Sequence, residues 1–187
     1  MNRTEIIHSA LNAHRTTIEQ LQPMTALIAE AGERLRNTLQ NGGKILLMGN
    51  GGSAADCQHI AAEIVGRYKR ERRGLPAIAL TTDTSIITSV GNDFGFTHIF
   101  SRQIEALCNP GDVVIGISTS GNSANVVAGI EVARGMQAFT LGMTGSHGGK
   151  LAELCDLTLA APSHDTPRIQ EAHILIGHIL CELAEAE

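Results

Sequence analysis

The segment Lys44–Glu63, KILLMGNGGSAADCQHIAAE, decides the fold that this sequence predicts. Its first part, Ile45–Met48, is an uninterrupted apolar run, which is typical of a parallel strand buried on both faces. The glycine-rich turn Gly49–Gly52 follows, and Ser53 stands where an N-cap residue would begin a helix. Strand, glycine turn and helix in this order predict an α/β unit whose helix N-terminus offers backbone N–H groups to an anion.

The same alternation of strand and helix continues along the chain. Five short apolar strands are predicted, at residues 44–48, 77–80, 112–117, 138–141 and 157–160. Helices are predicted around them, at residues 3–20, from Pro23 to 40, 53–68, 84–90, 98–107, 122–135 and from 166 onwards. This alternation predicts a parallel five-stranded sheet with helices on both faces, a three-layer α/β sandwich of the flavodoxin-like kind.

The length of 187 residues fits one domain, and we expect a single domain over residues 1–187. Residues 1–41 would form N-terminal helices, and residues 44–187 would form the α/β core with its C-terminal helix. That last helix carries isoleucine and leucine around much of its circumference, more than a helix with one buried face needs. We therefore expect the helices at both ends to build an oligomer interface, with packing inside one chain as the alternative.

Composition and charge exclude several classes of protein. A net charge of −5 and a pI of about 5.9 do not favour binding to nucleic acid or to an anionic membrane. No apolar run reaches the ~18 residues that a membrane span needs. The four cysteines are widely spaced and form no CxxC pair, which indicates reduced, buried thiols in a cytoplasmic protein.

A second loop that could bind phosphate follows the strand at 112–117. It has the sequence STSGNS, Ser118–Ser123, and a helix comes after it. Hydroxyl and backbone N–H groups suit a phosphate monoester where no basic side chain is near. Alone, the segment fits an ordinary N-cap with a flexible turn equally well. Because parallel strands present their carboxyl ends at one edge of a sheet, both loops would face one crevice, which favours the phosphate interpretation.

The glycine turn also has two other interpretations. Gly49, Gly51 and Ala54 match the G-x-G-x-x-[G/A] pattern of dinucleotide-binding proteins. That mode needs an acidic residue at the end of the second strand, and Asp83 comes later than the usual spacing. The turn has no lysine, so it is not a Walker loop and nucleoside triphosphate hydrolysis is excluded.

Candidates for the chemistry lie on two predicted helices. His59 and Glu63 stand at i and i+4 on one face of the helix that leaves the glycine turn. A solvated ion pair is the common alternative for such a spacing. On the last helix, Gln170 and His178 are separated by about 12 Å of rise and about 80° of rotation, so they meet at one atom only with extended side chains. His173, between them, is expected to be a core or interface histidine.

Four segments of the chain resemble the sugar isomerase (SIS) domain family, in order and over nearly the whole length: GNGGSAADCQHIAAE, VGNDFGF, GDVVIGISTSGNSANV and RIQEAHILIGH. The resemblance implies a cytoplasmic homotetramer with active sites at subunit interfaces. It implies an isomerase that converts D-sedoheptulose 7-phosphate to D-glycero-D-manno-heptose 7-phosphate through an enediol. That reaction is the first step of bacterial ADP-heptose and lipopolysaccharide heptose synthesis.

The resemblance also implies the residues of the site. One zinc ion per subunit would be held by His59, Glu63, Gln170 and His178. The substrate would contact Asn50, Gly51, Gly52, Ser53, Glu63, Asn92, Asp93, Ser118, Thr119, Ser120, Ser123 and Gln170. Plain turn chemistry is the alternative for Asn92 and Asp93. Residues 163–167 vary within the family, so their contacts stay open.

An aldose–ketose isomerisation moves a proton between C1 and C2, which requires a base at carbon and an acid/base group at oxygen. We assign Glu63 as the base and His178 as the group that moves protons at the oxygens. A role of Glu63 as zinc ligand conflicts with its role as base, because a bound cation lowers the basicity of a carboxylate.

Two other functions fit parts of the same sequence. A non-catalytic regulator of this family binds the replication initiator DnaA, but there the positions of Glu63 and His178 are not catalytic types and the STSGNS segment is altered. A phosphosugar-sensing module would keep both loops without needing Glu63 and His178. Because all of these features are intact here, the sequence favours the enzyme.

Overall fold

The structure is a computed structural model, and it describes residues 2–186. Five strands in the described chain form one sheet: β1 (Ile45–Gly49), β2 (Ala77–Ala79), β3 (Val113–Ser118), β4 (Phe139–Gly145) and β5 (Leu157–Ala161). Every neighbouring pair is parallel, and the strand order is β2-β1-β3-β4-β5. The predicted five-stranded parallel sheet of the flavodoxin-like order is therefore confirmed.

Helices connect the strands and extend the chain at both ends. They are α1 (Arg3–Glu19), α2 (Thr25–Gln40), α3 (Gly52–Val65), α4 (Thr84–Phe94), α5 (Ser101–Leu107), α6 (Ala124–Gly135), α7 (Gly149–Leu154) and α8 (Thr166–Ala184). Short 3₁₀ turns lie at Gln22–Met24 and Phe96–His98. A capping box begins α1, and Pro23 separates α1 from α2 because its ring cannot continue a helix. No helix in the described part of the chain is long and apolar enough to cross a membrane.

The apolar core has two halves, one on each face of the sheet. Along β1, Ile45 and Leu47 belong to one half, while Leu46 and Met48 belong to the other. Side chains of a strand alternate between its faces, so a strand covered on both sides must be apolar at every position. This explains the uninterrupted run that predicted β1, and it gives the three layers of the sandwich.

The last helix is buried largely within its own chain. It packs against α1, α2 and α3, and glycine permits two of these contacts. A Cβ at Gly32 of α2 would overlap Leu183, and a Cβ at Gly177 of α8 would overlap Ile60 of α3. Packing inside one chain therefore accounts for much of the apolar circumference of α8, and the oligomer interface stays a prediction.

Several predicted boundaries were wrong. Gly51, at φ +55°, is the N-cap of α3, so Ser53 lies buried in the first turn and does not cap the helix. Helix α3 ends at Val65 rather than at residue 68. Helix α4 continues to Phe94 rather than ending near residue 90, so Asn92 and Asp93 are helical and the alternative of a turn is not observed. Helix α7 was not predicted because it is only six residues long. Strand β4 extends to Gly145, through glycines that are typical of turns.

Candidate active site

The two predicted loops lie side by side at the carboxyl edge of the sheet. Strands β1 and β3 are neighbours, and Gly49 pairs with Ile117 at the ends of the two strands. Helix α3 then leaves towards one half of the core and α6 towards the other. Neighbouring connections that diverge to opposite faces leave a crevice between them, which is where ligands bind in open α/β sheets.

A reciprocal pair of amides joins the two loops. Asn50 donates to the side-chain oxygen of Asn125 at 2.8 Å, and Asn125 donates to that of Asn50 at the same distance. Asn125 is 3% exposed and lies in the first turn of α6. One N–H and the oxygen of each amide are therefore paired with the other amide, so the side chain of Asn50 helps to join the two loops. Its predicted contact with substrate stays a prediction. Asn125 was missed, although its position inside the GNSANV segment could have indicated it.

The second loop gathers serine hydroxyls around Ser118. The oxygen of Ser118 lies 2.9 Å from that of Ser123 and 3.4 Å from that of Ser120. Ser123 is the N-cap of α6, yet its side chain does not cap the helix. In the first turn, the N–H of Val126 donates to the side chain of Asn125 at 3.0 Å. Three converging hydroxyls at the start of a helix are the arrangement that the phosphate prediction requires, and phosphate binding here stays a prediction.

The conformation of this loop depends on its contacts with the loop after β4. Gly121 has φ +67°, and a Cβ there would overlap the backbone carbonyl of Gly148. Asn122 accepts a hydrogen bond from the N–H of Lys150 at 3.0 Å and donates to the carbonyl of Ser120 at 3.0 Å. The loop after β4 therefore supports the conformation of Ser118–Ser123, here called the hydroxyl loop, and position 121 requires glycine.

About two turns along α3 from the glycine turn, three potential metal ligands converge. The Nε2 atom of His59 lies 3.3 Å from Oε1 of Glu63 and 3.3 Å from Nε2 of His178. One ligand atom from each of these residues lies within 4.8 Å of the others. Helix α3 supplies two of the three and α8 the third. Two imidazoles and a carboxylate form a donor set that suits zinc.

Gln170 lies at the other end of this region. A Cβ at Gly52 would overlap the side-chain amide of Gln170, so the end of the Gln170 side chain lies directly against the glycine turn. The structure thus places Gln170 against the glycine turn and His178 beside His59, which is consistent with the helical separation between the two. The function of Gln170 as a fourth zinc ligand stays a prediction.

Asn92 and Asp93 lie apart from these groups. Both are exposed in the last turn of α4, and Asn92 donates to the carboxylate of Asp93 at 2.8 Å. Among the hydrogen bonds of the described residues, none joins either side chain to another predicted site residue. Their contact with substrate stays a prediction.

His173 and the cysteines Cys57 and Cys181 are buried in the core. His173 is fully buried and donates from Nε2 to the carbonyl of Thr144 at 2.9 Å. Burial lowers the pKa of His173, against the opposing effect of that hydrogen bond, so the imidazole is neutral as a core residue. Burial also raises the pKa of Cys57, and it raises that of Cys181 to about 12. A thiol that stays protonated is a poor nucleophile, so neither of these two cysteines is a candidate nucleophile.

A family model described as SIS domain matches residues 9–145 of the chain. This match covers both loops, α3 and α4, and it defines the class of protein to which the fold and the site belong.

Relatives and solved structures narrow this class. The chain is 56% identical over 182 residues to the phosphoheptose isomerase of Helicobacter hepaticus, with 97% of this chain and 93% of the relative covered. It superposes on the structure of phosphoheptose isomerase from Neisseria gonorrhoeae with a TM-score of 0.94 at 41% identity, covering 98% of this chain and 99% of the other. For the phosphoheptose isomerase from Francisella tularensis the TM-score is 0.96 at 37% identity, with both chains fully covered. The chain therefore belongs to the SIS domain family, in which it groups with the phosphoheptose isomerases.

Proposed function

We propose that this protein is an aldose–ketose isomerase that converts D-sedoheptulose 7-phosphate to D-glycero-D-manno-heptose 7-phosphate. The observation that carries the proposal is the convergence of His59, Glu63 and His178, about two turns along the helix that leaves the glycine turn. A protein that only bound a phosphosugar would need the loops but not these three residues. The high identity to phosphoheptose isomerases over nearly the whole chain supports the same substrate.

The loops would hold the phosphate end of the substrate. Hydroxyls of Ser118, Ser120 and Ser123, with N–H groups of the glycine turn and of α6, would donate to the phosphate oxygens. Thr119, between these serines, is part of the predicted contact. Binding energy gained there, far from the reacting carbons, would orient C1 and C2 near Glu63 and His178.

Glu63 would remove the proton from carbon, and His178 would move protons at the C1 and C2 oxygens. Both side chains are half-buried, so they are shielded in part and still reachable by substrate. His59, Glu63 and His178 would hold one zinc ion, with Gln170 as a predicted fourth ligand. Bound zinc would polarise the substrate carbonyl and stabilise negative charge on the enediolate oxygen.

A homotetramer is part of the proposal. Helix α1 exposes a set of large apolar side chains, Ile6 at 54%, Ile7 at 58% and Leu11 at 62%. Near the predicted contacts of α4, Phe94 and Phe96 are 55% and 62% exposed. Association through these surfaces would cover them and would bring a second subunit to the site. A cytoplasmic enzyme at the start of heptose synthesis for lipopolysaccharide is the expected setting.

The test is incubation with sedoheptulose 7-phosphate, with and without a chelator, and detection of the aldose phosphate by NMR. We expect turnover that the chelator abolishes and added zinc restores. Turnover that resists complete metal removal would contradict the zinc proposal alone. Binding of the ketose phosphate without any aldose product would contradict the enzyme and support the sensing module.

A non-catalytic regulator that binds a replication initiator is the second candidate from sequence. The geometry does not favour it, because the two groups that such a protein would not need, Glu63 and His178, are brought together with His59.

A further inference from the structure

One carboxylate near the end of the chain joins two parts of the active site. Glu185 follows α8, and its side chain is about 1% exposed. It accepts hydrogen bonds from the backbone N–H groups of Lys69 at 2.6 Å, Arg70 at 2.9 Å and Tyr68 at 3.4 Å. The guanidinium of Arg72 donates to it at 3.1 Å. A buried charge needs such a set of donors, so the segment 68–72 is anchored to the end of α8.

Arg72 anchors the same segment to the end of α3. Its Nη1 donates to the carbonyl of Ile64 at 2.9 Å, and its Nη2 donates to that of Glu63 at 3.2 Å. Carbonyls in the last turn of a helix have no partner within the helix, and a cation there also opposes the negative end of the helix dipole. Segment 68–72 is therefore attached both to the helix that carries Glu63 and to the helix that carries His178.

Tyr68 begins this anchored segment and lies on the ring of His178. The two rings are stacked, with centroids 5.6 Å apart and an angle of 18° between their planes. His59 meets His178 from another direction, edge to face, with centroids 4.9 Å apart. The imidazole of His178 is thus restrained by the ring of His59 on α3 and by the ring of Tyr68 in segment 68–72.

We propose that Tyr68 is a positioning residue for His178, and that the contacts of Glu185 with segment 68–72 hold Tyr68 in place. This inference rests on the proposed function, because it assigns the restrained imidazole to zinc binding and proton transfer. Tyr68 touches neither zinc nor substrate in this proposal. It limits the orientations of the His178 ring, so that less order has to be gained when the metal or the transition state forms.

Packing alone is the competing explanation, since Tyr68 also contacts the larger half of the core. Phe139 offers a matched control. It is likewise a partly buried aromatic residue on that half of the core, but it stands at the amino-terminal end of β4, away from the site. A general loss of packing should affect Tyr68→Ala and Phe139→Ala alike, whereas positioning should affect only the first.

The experiment measures zinc affinity of chelator-stripped protein by competition with a chromophoric chelator, and kcat and KM for sedoheptulose 7-phosphate. For Tyr68→Ala we expect zinc affinity about 10- to 100-fold weaker and a kcat at least about 10-fold lower, with KM changed less. Tyr68→Phe should restore both because it keeps the ring. Glu185→Gln should lower both by less, and the double variant Tyr68→Ala with Glu185→Gln should lose no more than Tyr68→Ala alone.

Normal zinc affinity and kcat in Tyr68→Ala, or equal losses in Phe139→Ala, would overturn the proposal. Additive losses in the double variant would overturn the part assigned to Glu185. If the unaltered protein did not isomerise the sugar, the proposed function would fail while zinc affinity still decided the role of Tyr68. If the unaltered protein isomerised the sugar without zinc, the kcat of Tyr68→Ala would decide the role of Tyr68.

Discussion

The hydroxyl loop and the His59–Glu63–His178 cluster are two parts of the candidate site, and they are built differently. The hydroxyls of the loop Ser118–Ser123 come from one short segment, and the side-chain hydrogen bonds within that segment join residues two to five positions apart. The cluster joins two helices, with His59 and His178 separated by 119 positions. In the proposed mechanism, phosphate binding would therefore depend mainly on the conformation of one segment, whereas the proposed proton-transfer groups would depend on how α8 packs on α3.

The largest effect should come from the cluster. Glu63→Gln keeps the size of the side chain but removes the base, so we expect kcat to fall by about 10³-fold with little change in KM. Steady-state kinetics with sedoheptulose 7-phosphate measure this, after circular dichroism has shown an unchanged fold. A kcat within a few-fold of the unaltered enzyme would remove Glu63 from the chemistry.

The hydroxyl loop should respond in stability and in KM. Gly121→Ala places a Cβ against the carbonyl of Gly148 at a position whose φ is +67°. We expect the free energy of unfolding to fall by about 3 kcal/mol and KM to rise. Denaturant unfolding measures the loss. Gly135→Ala, in the last turn of α6, is the control because a Cβ there meets nothing within 4 Å. Equal effects of the two substitutions would contradict the bracing of the loop by its neighbour.

The amide pair between the loops should have a smaller effect. In Asn125→Ala the half-buried side-chain amide of Asn50 loses its hydrogen-bond partner. We expect the free energy of unfolding to fall by about 1–2 kcal/mol and KM to rise modestly. Unfolding in urea and steady-state kinetics test this. A fall in kcat at unchanged KM would show that the pair serves the cluster rather than the phosphate loops.

The smallest expected effect is on the stability of the protein at low pH. Burial raises the pKa of Glu185, but hydrogen bonds from the N–H groups of Lys69, Arg70 and Tyr68 and from Arg72 outweigh it and leave the pKa below its ordinary value. The carboxylate therefore stabilises the fold above the ordinary pKa of glutamate, and this contribution is lost as pH falls through the lower, folded value. We expect unfolding free energy to fall less between pH 6 and about pH 3 in Glu185→Gln than in the unaltered protein. Parallel pH curves would contradict this.

The same difference explains how much could be predicted from the sequence. Alternating apolar strands, glycine turns and hydroxyl loops are local patterns, and they predicted the sheet and both loops. The pairing of α3 with α8 is not local. Glycines allow close contacts there, Gly177 with Ile60 and Gly52 with Gln170. These contacts can be recognised only after the helices have been positioned in the fold. The resemblance to the SIS domain family indicated His178 as a site residue, but residue patterns alone did not predict that His178 contacts His59.

Residues that act through backbone contacts were the hardest to predict. Arg72 lies in a stretch rich in arginine, yet three of its hydrogen bonds go to the carbonyls of Glu63, Ile64 and Gly66 around the end of α3. Tyr68 was placed inside a longer helix. Neither function could be inferred, because both depend on a carboxylate more than a hundred positions away.

The reciprocal amides of Asn50 and Asn125 have an evolutionary consequence. Each side chain is complementary to an identical partner, so a change at one position leaves a buried donor or acceptor unmatched at the other. Natural variation in the lineage of this enzyme should therefore replace the two asparagines together or keep both, although 75 positions separate them.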